Sequence, residues 1–195
     1  KFNFKNIIDN YGAFDNYKIE NYVKIFCKYF LKKDNITLKE LYNYNKIKFT
    51  VKVSNLSKSS VEYINYLNNP NLDIVTLIKM ATSIPLLFKP VNYNNCIYCD
   101  GATGAGLPIE YNKSKKYLAI FILPFKFENK INNFYDYLYF FYKTYSAIDT
   151  INFYKKYKNI IYLDMNSSLK IDIDNNLKKY FFKEGYLKTK KYFEN

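Results

Sequence analysis

Glycine is scarce and unevenly placed: this 195-residue chain has five, at positions 12, 101, 104, 106 and 185. Glycine supplies the backbone freedom that strained catalytic turns require, so such turns are largely confined to the stretch 101–106. A Gly-x-Ser-x-Gly nucleophile elbow cannot be written anywhere in the sequence. The order of Gly101, Gly104 and Gly106 is not Gly-x-Gly-x-x-Gly, and no Gly-Lys-Ser/Thr follows, so a phosphate-cradling loop is not indicated. Histidine is absent altogether. That removes a Ser-His-Asp triad, a Cys-His pair and a His-Glu-x-x-His zinc site.

The glycine cluster does carry an aspartate. Asp100 follows a short predicted strand and immediately precedes Gly101 and Ala102, with a Leu107-Pro108-Ile109 exit beyond. A carboxylate placed where Gly101 frees the backbone can be aimed rigidly at a partner group, as a general base must be. The plainer alternative is a turn aspartate that satisfies its own backbone. Asp100 is the candidate catalytic residue, and Gly101 and Ala102 are its motif support. Ser83 lacks flanking glycines, so a capping or packing role is expected of it and not that of a nucleophile. Asp164, just after an apolar run, is a second candidate carboxylate, because ligands gather at the carboxyl ends of strands in α/β sheets.

Periodicity predicts alternating helices and strands. Ile19, Tyr22, Val23, Phe26 and Phe30 recur at helical spacing, predicting a helix over about 16–32 that packs this stripe inward. Thr37 and Glu40 form a capping box for a helix starting near Leu38. Ile47, Phe49, Val51 and Val53 alternate with polar residues as a strand does, and 61–67 gives a second strand. After a turn at 68–71, residues 73–82 are helical until Pro85 forbids continuation. The runs 117–125 and 159–163 read as buried strands. A helix between them would pack Phe134, Leu138, Phe141, Tyr142 and Tyr145 on the sheet. A last helix, about 174–193, carries Leu177, Phe181 and Phe182 on one side.

At 49% hydrophobic the chain has the material for the core of one domain. No stretch reaches the ~18 uninterrupted apolar residues of a membrane span, and Lys1–Lys5 are not followed by an apolar signal core. Three cysteines, an odd number without a secretory signal, point to reduced thiols and an intracellular, cytoplasmic or peripheral-membrane location. Cys96-x-x-Cys99 falls in a predicted strand, where residues three apart face opposite sides, and nothing completes a tetrahedral metal site. The net charge of +13 would attract anionic headgroups or nucleic acid. The lysines are scattered, however, and no nucleic-acid motif is recognisable. Nucleic acid is therefore not the expected partner, and a basic nucleic-acid-binding protein stands as an alternative.

The segment Ser83-Ile84-Pro85, Phe88 and Pro90, the aromatic Tyr98, Asp100-Gly101-Ala102 and the exit Pro108-Ile109 together resemble the patatin-like phospholipases. Further similarity lies at Thr37–Tyr42, at Val53–Leu56 and, weakly, at Lys183–Tyr186; Gly106 stands where the family often has asparagine. The resemblance implies a three-layer α/β/α domain whose sheet is incomplete at its N-terminal side, with 1–195 as the C-terminal portion of a single domain. It implies a lipid acyl hydrolase of phospholipase A type acting by a Ser/Asp dyad. Asp100 would be this chain's contribution, while the serine and a glycine-rich oxyanion loop would come from an upstream part of the same domain. The missing histidine agrees with a dyad. Neither metal nor organic cofactor is implied, and the expected partners are an acyl lipid, such as a phospholipid, and a membrane surface. Beginning at Lys1 and entering the pattern midway, the chain is expected to be the later part of a longer domain. It would then expose strand edges that a companion polypeptide covers. A noncatalytic lipid-binding or regulatory relative is the other alternative.

Overall fold

The computed structural model describes residues 4–103, 107–112, 116–123, 131, 134, 137–138, 141, 157–164 and 174–194. The chain forms two compact units, Lys1–Gly106 and Leu107–Asn195. The class is mixed α/β, as the sequence implies, and the described strands fall into three hydrogen-bonded groups.

The first unit opens with α1 (Phe4–Asn10), β1 (Gly12–Phe14) and α2 (Tyr17–Leu31), followed by α3 (Leu38–Asn45). The capping box forms as expected. Thr37 Oγ1 accepts from the Glu40 amide at 3.2 Å, and Glu40 Oε2 accepts from the Thr37 amide at 2.8 Å. Asp73 caps the start of α4 (Ile74–Thr82) by accepting from the Thr76 amide at 2.8 Å. The two helix starts are tied together by an antiparallel bridge between Thr37 and Asp73, by Leu38 N–H to Leu72 O at 2.9 Å and by Ile74 N–H to Ile36 O at 2.9 Å. Thr37→Ala opens this box and is expected to cost about 1 kcal/mol, measured as a lower denaturation midpoint with an unchanged slope.

Strands β2 (Thr50–Asn55), β3 (Ser60–Asn65), β5 (Val91–Tyr93) and β6 (Cys96–Asp100) make an antiparallel sheet in the order β3-β2-β6-β5. Both β2 and β3 are trimmed relative to the sequence pattern, and local side chains explain it. Lys46 takes a left-handed C-cap and the Ile47 amide is captured by Asn45 Oδ1 at 2.8 Å, so strand conformation begins only at Thr50. The Leu67 amide goes to Asn65 Oδ1 at 2.9 Å, which stops β3 at Asn65. Leu77 and Met80 of α4 pack under the sheet with Leu38, Val53, Ile64, Leu72 and Tyr98, forming the main core. Short β4 (Leu86–Phe88) pairs in parallel with β1, Gly12 opposite Leu86 and Phe14 opposite Phe88.

The stripe of α2 is split: Ile19 and Val23 are half-buried, and its aromatic part turns the other way from the expectation. Cys27 is the buried residue of this helix, while Tyr22, Phe26 and Phe30 are exposed. Two polar links fix the rotation: Asn16 Nδ2 donates to Ser83 Oγ at 2.7 Å, and Lys79 Nζ donates to Glu20 Oε2 at 2.8 Å. They draw the side of α2 that carries residues 16, 20, 23 and 27 toward α4, and the aromatic side follows outward.

In the second unit, the turn Pro108–Tyr111 buries Ile109, and β7 (Ala119–Leu123) pairs in parallel with β8 (Ile160–Asp164). Ile109, Phe121 and Ile160 form its core. The expectation of a strand buried on both faces fails at β7, because Ile120 and Ile122 are exposed. Of the helix expected to follow, Phe134, Tyr137, Leu138 and Phe141 are helical. Phe134 and Phe141 are exposed instead of packed, and Tyr142 and Tyr145 lie outside the described residues. The final helix, α5 (Asn175–Glu194), buries no residue. Leu177 and Phe181 are half-buried on it, and Phe182, expected beside them, is exposed. No described helix is long and apolar enough to cross a membrane.

Candidate active site

Asp100 is the last residue of β6, and its position is fixed from two sides. Across the sheet it stands opposite Val53 of the central strand β2. Its amide donates to Ser83 O at 3.0 Å, linking the end of the strand to the end of α4. The side chain is half-buried, and Oδ1 accepts from the Ala102 amide at 2.8 Å. Burial pushes the carboxyl above the ordinary aspartate range, partly offset by the Ala102 hydrogen bond. Both readings offered by the sequence are therefore present in one residue. Asp100 satisfies a turn amide, and it is also a desolvated carboxylate with raised basicity, the property that suits a proton acceptor.

Gly101 is needed for a reason other than the expected backbone freedom. None of the described glycines has a positive φ. A Cβ on Gly101 would instead lie 2.8 Å from the Val53 nitrogen and closer still to the Lys52 carbonyl. The glycine thus lets the chain leaving Asp100 pass against the backbone of β2. Ala102, exposed, contributes its amide to Asp100.

Ser83 is fully buried at the C-cap of α4. Its hydroxyl donates to Lys79 O at 2.6 Å and accepts from Asn16 Nδ2 at 2.7 Å. A serine whose proton is committed to a helix carbonyl is a structural latch, as the sequence suggested. Asn16, which sequence inspection did not single out, is buried with it. Its amide makes no cap to its own helix. Because the Ser83 proton is already donated to Lys79, Asn16 must present its NH2 to Ser83. Its Oδ1 consequently finds no partner among the described residues. Two neighbours of α2 and α4 complete the latch: Glu20 bridges Lys24 at 2.6 Å and Lys79 at 2.8 Å. No local signal could have paired Asn16 with a residue 67 positions away.

Tyr98, the aromatic of the motif, is a core anchor. It is buried, its hydroxyl donates to Glu62 Oε2 at 3.3 Å, and burial together with the nearby Glu62 charge pushes its pKa up to about 12. Cys27, Cys96 and Cys99 are all free thiols. Asp164 ends β8 in the second unit. Among the described residues no group of three or more His, Cys, Asp or Glu side chains could hold a metal.

Two carboxylates outside Asp100 give the fold an acid sensitivity. Hydrogen bonds from Lys24 and Lys79 hold Glu20 at about 2, down from an ordinary 4.5. Lys33 and the Thr37 amide hold Glu40 at about 2 in the same way. A carboxylate depressed in the folded state contributes stability that is present above its unfolded pKa and lost as pH falls through the folded value. Denaturation midpoints are therefore expected to decline from about pH 4.5 toward pH 2. Glu20→Gln should flatten part of that decline.

A family model meets this geometry at the same residues. The patatin-like phospholipase family model matches residues 1–112, a span that holds α1 through β6, Asp100 and the Pro108-Ile109 exit. The weak similarity at Lys183–Tyr186 falls outside that span. A protein of Invertebrate iridescent virus 6, named "Probable lipid hydrolase 463L", is 30% identical over 87 residues, which are 42% of this chain and 30% of that protein. The chain thus matches less than a third of the length of this relative. With the family model covering more than half of the chain, and with the Asp-Gly-Ala turn built at the end of a core strand, this protein belongs to the patatin-like phospholipase family.

Proposed function

We propose that this chain supplies the acid–base half of a lipid acyl hydrolase of phospholipase A type, acting on acyl lipids such as phospholipids at a membrane surface. The observation that carries the reading is Asp100: a half-buried carboxylate with raised basicity, held at the end of β6 by the Ser83 carbonyl and the Ala102 amide. Family membership and the name of the viral relative support the substrate class.

In the proposed reaction a serine from a Gly-x-Ser-x-Gly segment, which this sequence does not contain, attacks the acyl carbonyl. Asp100 takes the serine proton as the Oγ–carbon bond forms, then gives it to the alcohol oxygen as the ester bond breaks. Water repeats the cycle on the acyl-enzyme: Asp100 takes a proton from the water as it attacks and returns it to the serine Oγ as the acyl–serine bond breaks, and fatty acid leaves. Backbone amides of a glycine loop, also outside this sequence, stabilise the oxyanion.

The test joins this chain to the Gly-x-Ser-x-Gly half of a family member and follows fatty acid release from phospholipid vesicles. Release that depends on both the serine and Asp100 is expected. Lipid binding without any release would favour the noncatalytic, lipid-binding alternative.

A further inference from the structure

We infer that the outward face of α2 is a docking surface for an anionic phospholipid bilayer. The inference deepens the lipid-hydrolase reading by naming the face that meets the membrane.

Tyr22, the pair Ile25 and Phe26, and the pair Tyr29 and Phe30 lie three or four residues apart from one turn of α2 to the next and so share one face. All five are exposed, from 54% for Phe30 to 73% for Tyr22. Their rings are gathered: Phe26 and Phe30 have centroids 4.4 Å apart, and Tyr29 meets Phe30 edge-on at 4.8 Å. A contiguous apolar patch of this kind marks an interaction surface. The opposite side of the helix is occupied, by Cys27 in the interior and by the Glu20 bridges, so the aromatic face cannot turn inward without breaking both links to α4.

The charges around the patch select the partner. Lys18, Lys28 and Lys32 are exposed around the stripe, Lys28 in a solvent-exposed 3.6 Å ion pair with Asp34 beyond the helix end, and Lys32 Nζ lies 5.7 Å from the Tyr29 ring centroid. Glu20, the acidic residue of this helix, is turned to the other side and neutralised by two lysines. The outward face is therefore aromatic with a cationic rim: three lysines stand against one carboxylate, Asp34, which lies beyond the helix end and is exposed enough for solvent to screen it. A bilayer surface accommodates all of it. Phenyl rings enter the acyl boundary, tyrosine hydroxyls stay at headgroup level, and lysines extend to the phosphates with their stems along the apolar surface. A protein cover would have to bury the tyrosine hydroxyls and lysine stems among its own groups, against the usual depletion of lysine from interface cores.

Vesicle flotation of the full chain tests this, with phosphatidylcholine vesicles with and without phosphatidylserine, at low and high salt. Flotation with the phosphatidylserine vesicles is expected, weaker on phosphatidylcholine alone and weaker at high salt. Phe26→Ser with Tyr29→Ser should lower the bound fraction about tenfold or more while leaving the melting curve in place, since both side chains are exposed. Lys18→Gln with Lys28→Gln should lower binding only where phosphatidylserine is present. Wild-type protein that does not float, or a serine double variant that floats as well as wild type, overturns the inference. So does a dimer that the serine variant converts to monomer without any vesicle binding. Flotation needs no hydrolysis, so its failure leaves the role of Asp100 standing, and loss of turnover in an Asp100 variant leaves the docking face standing.

Discussion

Asp100→Asn should remove most acyl-ester turnover and at the same time make the fold slightly more stable at neutral pH. The first effect follows from losing a proton acceptor, a contribution of about 10²- to 10⁴-fold, in protein complemented with a Gly-x-Ser-x-Gly half. The second follows from the cause of the raised pKa. Burial disfavours the charged carboxylate, so the native state carries an electrostatic cost wherever Asp100 is ionised. Asparagine keeps an oxygen for the Ala102 amide and carries no charge. The sign of the pH dependence is fixed. A carboxyl raised in the folded state is most favourable below its unfolded pKa of about 3.9, and that advantage is lost as pH rises through the folded value. Denaturation curves of wild type and variant should therefore converge in acid and separate toward neutrality, with the variant the more stable. A variant that unfolds more easily at neutral pH would mean that Asp100 is a structural turn residue. Full retained turnover would remove it from the chemistry.

Gly101→Ala should be strongly damaging although it adds a single methyl. The added Cβ meets the backbone of Lys52 and Val53, and backbone cannot swing aside as a long side chain can. Relief requires β6 to shift against the central strand, where Asp100 stands opposite Val53. A destabilisation of about 1–3 kcal/mol or more is expected, together with loss of turnover, because the displaced element ends in the carboxylate. Gly185→Ala is the control. Nothing lies within 4 Å of a Cβ there, and the residue sits inside α5. Alanine should stabilise that helix by about 0.5–1 kcal/mol. Urea denaturation of the two variants reads both signs in one experiment.

Legibility of the fold tracked the range of the interaction. The capping box at Thr37 and Glu40 and the stop of α4 ahead of Pro85 are settled within four residues of sequence, and each formed as the spacing implies. β1, β4 and β5 were not legible. Each is three residues long, too short to display a period, and β1 and β4 exist only because they pair with each other. The start of β2 and the end of β3 were misplaced because Asn45 and Asn65 side chains divert backbone amides that a hydrophobic pattern does not register. At the site, Asp100-Gly101-Ala102 was legible as a motif, whereas Asn16 and Lys79 were not. They act through contacts with residues far along the chain.

The sequence by itself determined, to within a residue or two, the spans of α2, α4 and α5 and the start of α3, that a carboxylate closes a strand beside a glycine, and which family the chain belongs to. Local backbone hydrogen bonding and a contiguous motif suffice for those. Only the tertiary structure decided which side of α2 is buried, that Ser83 holds Asn16 and that Gly101 serves close approach instead of a left-handed turn. The physical reason is common to all three. Each depends on what a distant segment brings within about 3 Å, namely Lys79 and Ser83 against α2 or Lys52 against Gly101, and a periodic pattern carries no record of such approaches.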